Sequence, residues 1–184
     1  ELARENCFYF VGAHPMAGTQ FSGYAHSRVD LFKGAPLVLV PPAVDDSLKL
    51  ELLGQVREMV RPLGFENFSV TDADGHDRMI AFTSQLAHVV SNAYVKSPTA
   101  QEHHGFSAGS YRDLTRVAHL NAPMWAELMT DNAQNLSHEI TCLIDSLAAY
   151  RDALDKKDEN RLEELLAEGD RIKRALDANT PDND

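Results

Sequence analysis

The sequence predicts an α+β protein: the trailing part of an α/β sheet domain, followed by an all-α domain. Three observations carry that reading. Short apolar runs bounded by Gly or Pro, the pattern of buried strands, fall before residue 72. Apolar residues at three-four spacing, the pattern of helices, dominate the rest. Between them Asp72-Ala73-Asp74-Gly75 is a run of turn formers and reads as the domain boundary. The predicted limits are 1–73 for the sheet-bearing part, 74–178 for the helical part and 179–184 for a disordered tail.

Residues 7–13, CFYFVGA, are a continuous apolar run and predict a strand buried on both faces. The Gly-rich stretch after it, HPMAGTQFSGYAHS, suits neither helix nor strand and reads as a loop. Residues 36–41, PLVLVP, predict a second buried strand closed by Pro41-Pro42. Asp45-Asp46-Ser47 offer an N-cap to an amphipathic helix over about 46–62, with Leu48, Leu52, Val56 and Met59/Val60 as its stripe and Gly64 as its stop. Residues 67–71, NFSVT, predict a third strand. Three strands and one helix are too little for an independently stable α/β domain, and a core strand begins within seven residues of Glu1. The chain is therefore expected to be a piece of a longer protein.

The helical part opens with a helix from about His76 to Lys96. It is apolar nearly all round and is expected to be buried in the middle of the fold. Ser97-Pro98-Thr99 ends it, and a Gly- and Ser-rich turn, Gly105 to Gly109, precedes a short helix over about 110–120. Asn121-Ala122-Pro123 starts the next. Trp125, Leu128, Asn132, Leu136, Ile140, Leu143, Leu147 and Leu154 keep helical spacing, which predicts one helix over 123–155. A helix of that length spans roughly 45 Å. That is long for so small a domain, so part of its apolar face is expected to meet a partner chain. A last helix carries Leu162, Leu165/Leu166, Ile172 and Leu176 on one side.

Composition excludes several classes. A net charge of −11 disfavours a nucleic-acid binder, which needs a basic surface. No apolar run approaches the roughly 20 residues needed to cross a membrane. Two widely spaced cysteines, Cys7 and Cys142, argue against a disulfide framework or zinc site and suit a reducing cytoplasm.

Three constellations could carry chemistry. Ser84, His88 and Asn92 are four residues apart and share a helix face, with Ser91 close by. Such a stripe forms an internal hydrogen-bond network or lines a cleft. Arg112 and Arg116 share another face: either a site for a carboxylate ligand or a solvated surface, with Asp113 as an alternative partner. His14, just past an apolar strand in a Gly-rich loop, stands where α/β proteins place reactive groups, and histidine moves protons near neutral pH. His103-His104 and His76-Asp77 are weaker, because neither has metal-site spacing, and no metal is expected. GxGxxG and GxxxxGK[ST] are both missing from the sequence.

Taken together, the segments resemble the prephenate dehydrogenase family. HPMAGTQFSGY resembles its His-Pro-x-Ala-Gly-Thr loop, and GHDRMIAFTSQLAHVVSNAYV its central substrate helix. GFSAGSYRDLTRVA followed by MWAEL resembles its Gly-rich turn, Arg helix and Met-Trp segment. Order and spacing also agree, from about residue 7 to 176. The resemblance implies a Rossmann-like nucleotide-binding part and a helical part that binds substrate and forms a homodimer. The implied reaction is oxidative decarboxylation of prephenate to 4-hydroxyphenylpyruvate, with hydride transfer to NAD or NADP. By the same resemblance His14 is the catalytic residue, taking a hydrogen bond or proton from the ring C4 hydroxyl. Arg116 holds a substrate carboxylate with Arg112 beside it, His88 and Ser84 line the pocket, and Trp125 lies near. Pro15 and Gly18 are the implied cofactor contacts.

The chain departs from the family in lacking the Gly-rich phosphate loop, the acidic residue after it and the upstream Ser that orients the histidine. It is therefore expected to be inactive alone. Relatives can carry Lys where this chain has Arg112. The rival readings are an arogenate dehydrogenase and a non-catalytic dimerisation or regulatory fragment.

Overall fold

The structure, a computed structural model, describes residues 2–19 and 23–178. The predicted disordered tail lies outside these residues. The chain divides into two compact units, residues 1–136 and 137–184.

In the first unit a short helix, α1 (Leu2–Glu5), precedes three strands, β1 (Gly12–Pro15), β2 (Pro36–Val40) and β3 (Asn67–Val70), in the order β1-β2-β3. β1 runs antiparallel to β2 with His14 opposite Val38, and β2 runs parallel to β3 with Leu39 opposite Val70. The alternation of side chains along β2 sends Leu37 and Leu39 to one face, where they are 2% and 0% exposed. There they join Phe65 and the partly buried Phe32, whose rings stack at 5.1 Å. Helix α2 (Asp46–Val60) covers this face with Leu53, Val56 and Val60. Its Asp45 N-cap accepts hydrogen bonds from the Ser47 and Leu48 amides at 3.1 Å, and Gly64 ends the turn that follows at φ 85°. Val38 and its cross-strand neighbour His14 point to the opposite face.

The first predicted strand is corrected. β1 starts at Gly12, and Phe8, Tyr9 and Phe10 are 52%, 58% and 66% exposed rather than buried. The apolar run lies outside the register that pairs Gly12–Pro15 with β2. It lines an open apolar cavity of about 1070 Å³ with Val40, Pro41 and Ala73. His14, expected in a loop, lies in the strand itself.

The turn expected at Asp72–Gly75 is also corrected: Asp72 is an N-cap, and helix α3 (Ala73–Ile80) begins directly after it. α3 passes through a π-helical stretch (Ala81–Leu86) into α4 (Ala87–Tyr94). This helix is not buried all round. Ala81, Gln85, Leu86 and Ser91 are buried, but Met79, Phe82 and Tyr94 are 51%, 58% and 47% exposed. Helix α5 (Gly109–Thr115) is shorter than expected.

The single helix expected over 123–155 is two, α6 (Ala122–Asp131) and α7 (Ala133–Asp155), broken at Asn132. The Asn132 side chain donates to the Asp77 carbonyl at 2.7 Å and to Gln85 Oε1 at 3.0 Å, and these bonds hold the break. In the second unit α7 turns into α8 (Glu159–Ala178), and the Tyr150 hydroxyl donates to the Leu165 carbonyl at 3.1 Å. None of the described helices is long and apolar enough to cross a membrane.

Candidate active site

β1 presents His14 on the sheet face away from α2, and α3 packs against β2 and brings His76 to it. His14 Nδ1 and His76 Nε2 are 2.8 Å apart, with ring centroids at 5.1 Å. His76 Nδ1 in turn lies 2.8 Å from Asp77 Oδ1. The Asp77 main chain is held by Asn132, which also holds Gln85, and Gln85 donates to the Leu128 carbonyl at 3.0 Å. His14 is half-buried. Its pKa is lowered from the ordinary value, by burial first and by neighbouring His76 second, which favours a neutral imidazole. Sequence reading singled out His14 but set His76-Asp77 aside as a failed metal motif. The contact joins residues 62 apart in the chain, which local spacing cannot reveal.

The remaining candidates form a second group. His88 Nδ1 donates to the Val117 carbonyl at 3.0 Å, and its ring lies 4.0 Å from that of Trp125. Asn92 donates to the Ala118 carbonyl at 3.4 Å. The polar stripe therefore fastens the backbone just after Arg116, which caps the C-terminus of α5. The hydrogen-bond reading of the stripe is what these contacts show: His88 and Asn92 both serve the network. Ser84 lies in the π-helical stretch, half-buried. Arg112 and Arg116 are exposed, and neither guanidinium is paired with Asp113 or with any other described residue. Their place at a helix C-terminus, the negative end of the dipole, eases their mutual repulsion.

A dinucleotide pyrophosphate needs free backbone N–H groups at a Gly-rich helix N-terminus. The two strand-to-helix turns here do not supply them. The N-termini of α2 and α3 are occupied by the carboxylates of Asp45 and Asp72, which repel phosphate, and Pro41 and Pro42 ahead of α2 have no N–H. Pro15 ends β1 without an amide donor either, and Gly18 has open space around its Cα. The described residues do not fit the phosphate part of NAD or NADP.

Fold and site first define a class: α+β proteins whose sheet-bearing part is followed by a helical one. The solved structures this chain resembles are of that class. Prephenate dehydrogenase from Aquifex aeolicus, in complex with hydroxyphenyl propionate and NAD+, matches with a TM-score of 0.71 and 30% identity over 91% of this chain and 58% of its own. Arogenate dehydrogenase from Synechocystis matches with a TM-score of 0.70 and 27% identity over 90% and 61%. Among curated relatives, prephenate dehydrogenase from Lactococcus lactis is 28% identical over 91% of this chain and 46% of its own length. Cyclohexadienyl dehydrogenase from Zymomonas mobilis is 28% identical over 90% and 57%. The chain thus spans about half the length of these curated relatives. The family model for the prephenate dehydrogenase dimerization domain matches residues 72–168, and that for the nucleotide-binding domain matches residues 2–64. The chain belongs to the prephenate dehydrogenase family.

Proposed function

We propose that this chain is the substrate-side part of a cytoplasmic, homodimeric prephenate dehydrogenase. The observation that carries the reading is the pair of exposed guanidiniums of Arg112 and Arg116, unpartnered among the described residues, in a chain of net charge −11. Prephenate is a dicarboxylate, and arginine takes a carboxylate in a bidentate, charge-assisted pair. Arg116 binds one carboxylate with Arg112 beside it, while Ser84, His88 Nε2 and Trp125 line the ring pocket. His14 then accepts the C4 hydroxyl proton, and loss of the ring carboxylate as carbon dioxide aromatises the product. Oxidation at C4 also requires a hydride acceptor, NAD or NADP in the whole enzyme, and the described residues make no phosphate site for it. Arogenate offers the same carboxylates to the same arginines, and a relative named for that activity is 27% identical, so the reading covers both substrates.

Calorimetric titration of the purified chain with prephenate tests this. Charge-assisted hydrogen bonds are worth about 1.5–3 kcal/mol, so Arg116→Gln is expected to weaken binding by roughly 10- to 100-fold. Arg116→Lys is expected to fall between, since it keeps the charge and loses the fork. Adding NAD or NADP is expected to give no reduced nucleotide. Binding that ignores Arg116 would overturn the site, and turnover by this chain would overturn its dependence on residues elsewhere.

A further inference from the structure

We propose that Asp77 and His76 are positioning residues that fix His14 as its Nδ1–H tautomer, leaving Nε2 as the bare nitrogen that faces the substrate hydroxyl. The inference rests on the reading of His14 as the proton acceptor and adds what prepares it for that role.

The polarity follows from which groups can donate. A carboxylate only accepts, so at 2.8 Å from Asp77 Oδ1 the His76 Nδ1 carries a hydrogen. Neutral His76 then has a lone pair on Nε2. That atom lies 2.8 Å from His14 Nδ1, which must donate to it. Neutral His14 has one N–H, now spent at Nδ1, so its Nε2 is the acceptor. An imidazole without such a partner prefers its proton on Nε2, the wrong nitrogen to face a hydroxyl that must be deprotonated. The tautomer of a histidine is set by the hydrogen bond made through its other nitrogen.

The arrangement also supports the charge that follows. When the hydroxyl proton passes to Nε2, its electron pair stays on oxygen, and His14 becomes an imidazolium that keeps its Nδ1–H bond to His76. The dipole of His76 and the carboxylate of Asp77 both favour that cation. The dyad is held from its own side as well. The Asp77 carbonyl accepts from Asn132, and His76 stands in the first turn of a helix capped by Asp72. Both positioning residues are thus pinned by backbone bonds that do not involve His14.

Long-range proton–nitrogen spectra of the 15N-labelled chain, recorded where His14 is neutral, read the tautomers directly. The native chain is expected to show both His14 and His76 protonated at Nδ1. In His76→Leu the His14 proton is expected to move predominantly to Nε2, and in Asp77→Ala His76 is expected to lose its Nδ1–H preference. His76→Gln is expected to restore the His14 Nδ1–H form, because its amide oxygen can still accept, whereas a merely space-filling role would not discriminate Gln from Leu. A native His14 protonated at Nε2 would overturn the proposal, and so would a tautomer indifferent to His76→Leu in a folded variant. Should the Leu variant fail to fold, the native and Asp77→Ala spectra decide. A His14 in the expected tautomer whose signals ignore added prephenate would leave this assignment standing and sink the functional reading instead.

Discussion

At the residue scale His14 links the site to stability. Its folded pKa lies below the ordinary 6.5, through burial and then His76, so the unfolded chain takes up this proton at a higher pH than the folded one. In the window between the two values the unfolded state binds more protons, and stability rises with pH. The contribution is intact above 6.5 and is lost as the pH falls from there to below the folded value. Urea midpoints are expected to drop over that window in the native chain and to drop less in His14→Gln. Equal drops would show that His14 titrates as it does in the unfolded chain. His14, His88 and Arg116 stood out in sequence as candidates because each belongs to a run with a distinct pattern: a Gly-rich stretch after an apolar run, a polar stripe on an apolar helix, and an Arg pair at helical spacing. His76 did not. Beside Asp72, Asp74 and Gly75 it looks like part of a turn, and its role depends on a sheet face that brings a distant strand under it.

At the element scale the start of α3 decides where His76 stands. The Asp72 carboxylate accepts from the Gly75 amide at 2.7 Å. A Cβ at Gly75 would lie 2.5 Å from Thr71 Oγ1 and 3.0 Å from Asp72 Oδ1, inside the cap itself. In an open helix position Gly→Ala stabilises by roughly 0.5–1 kcal/mol. Here the sign is expected to reverse, with Gly75→Ala destabilising by about 1 kcal/mol or more. Asp72→Ala is expected to lose about 1 kcal/mol with the cap. The double variant should cost less than the sum, since both changes damage one feature. Urea unfolding of the three variants measures this, and a more stable Gly75→Ala would refute the crowding argument. Strand β2 and helix α2 were legible because their signals are local: an apolar run between prolines, and an Asp cap before an amphipathic stripe. The break at Asn132 was not, because Asn132 falls in step with the leucines around it. What ends α6 is a pair of side-chain bonds to Asp77 and Gln85, which spacing does not encode.

At the scale of the whole molecule, charge and apolar surface pull in opposite directions. Ile144, Leu147 and Leu154 on α7 are 57%, 57% and 58% exposed, and Ile172 and Leu176 on α8 are 53% and 60% exposed. Ile144, Leu147 and Leu154 fall on one side of α7 by helical geometry. Each copy also carries a net charge of −11, so two copies repel as they approach. If the proposed homodimer forms through the apolar helix faces, salt should strengthen it by screening that repulsion, with the largest gain as the Debye length shrinks from about 30 Å at 0.01 M to about 8 Å at 0.15 M. An interface held by ion pairs would weaken instead. Leu147→Lys places a charge on the apolar side and is expected to dissociate the dimer at micromolar concentration. Light scattering across a salt series on both proteins separates the cases, and a native chain that stays monomeric at micromolar concentration in every salt would defeat the dimer. The opposite responses are what make the test informative: the lysine removes apolar association and salt removes repulsion, so an apolar dimer must respond to both.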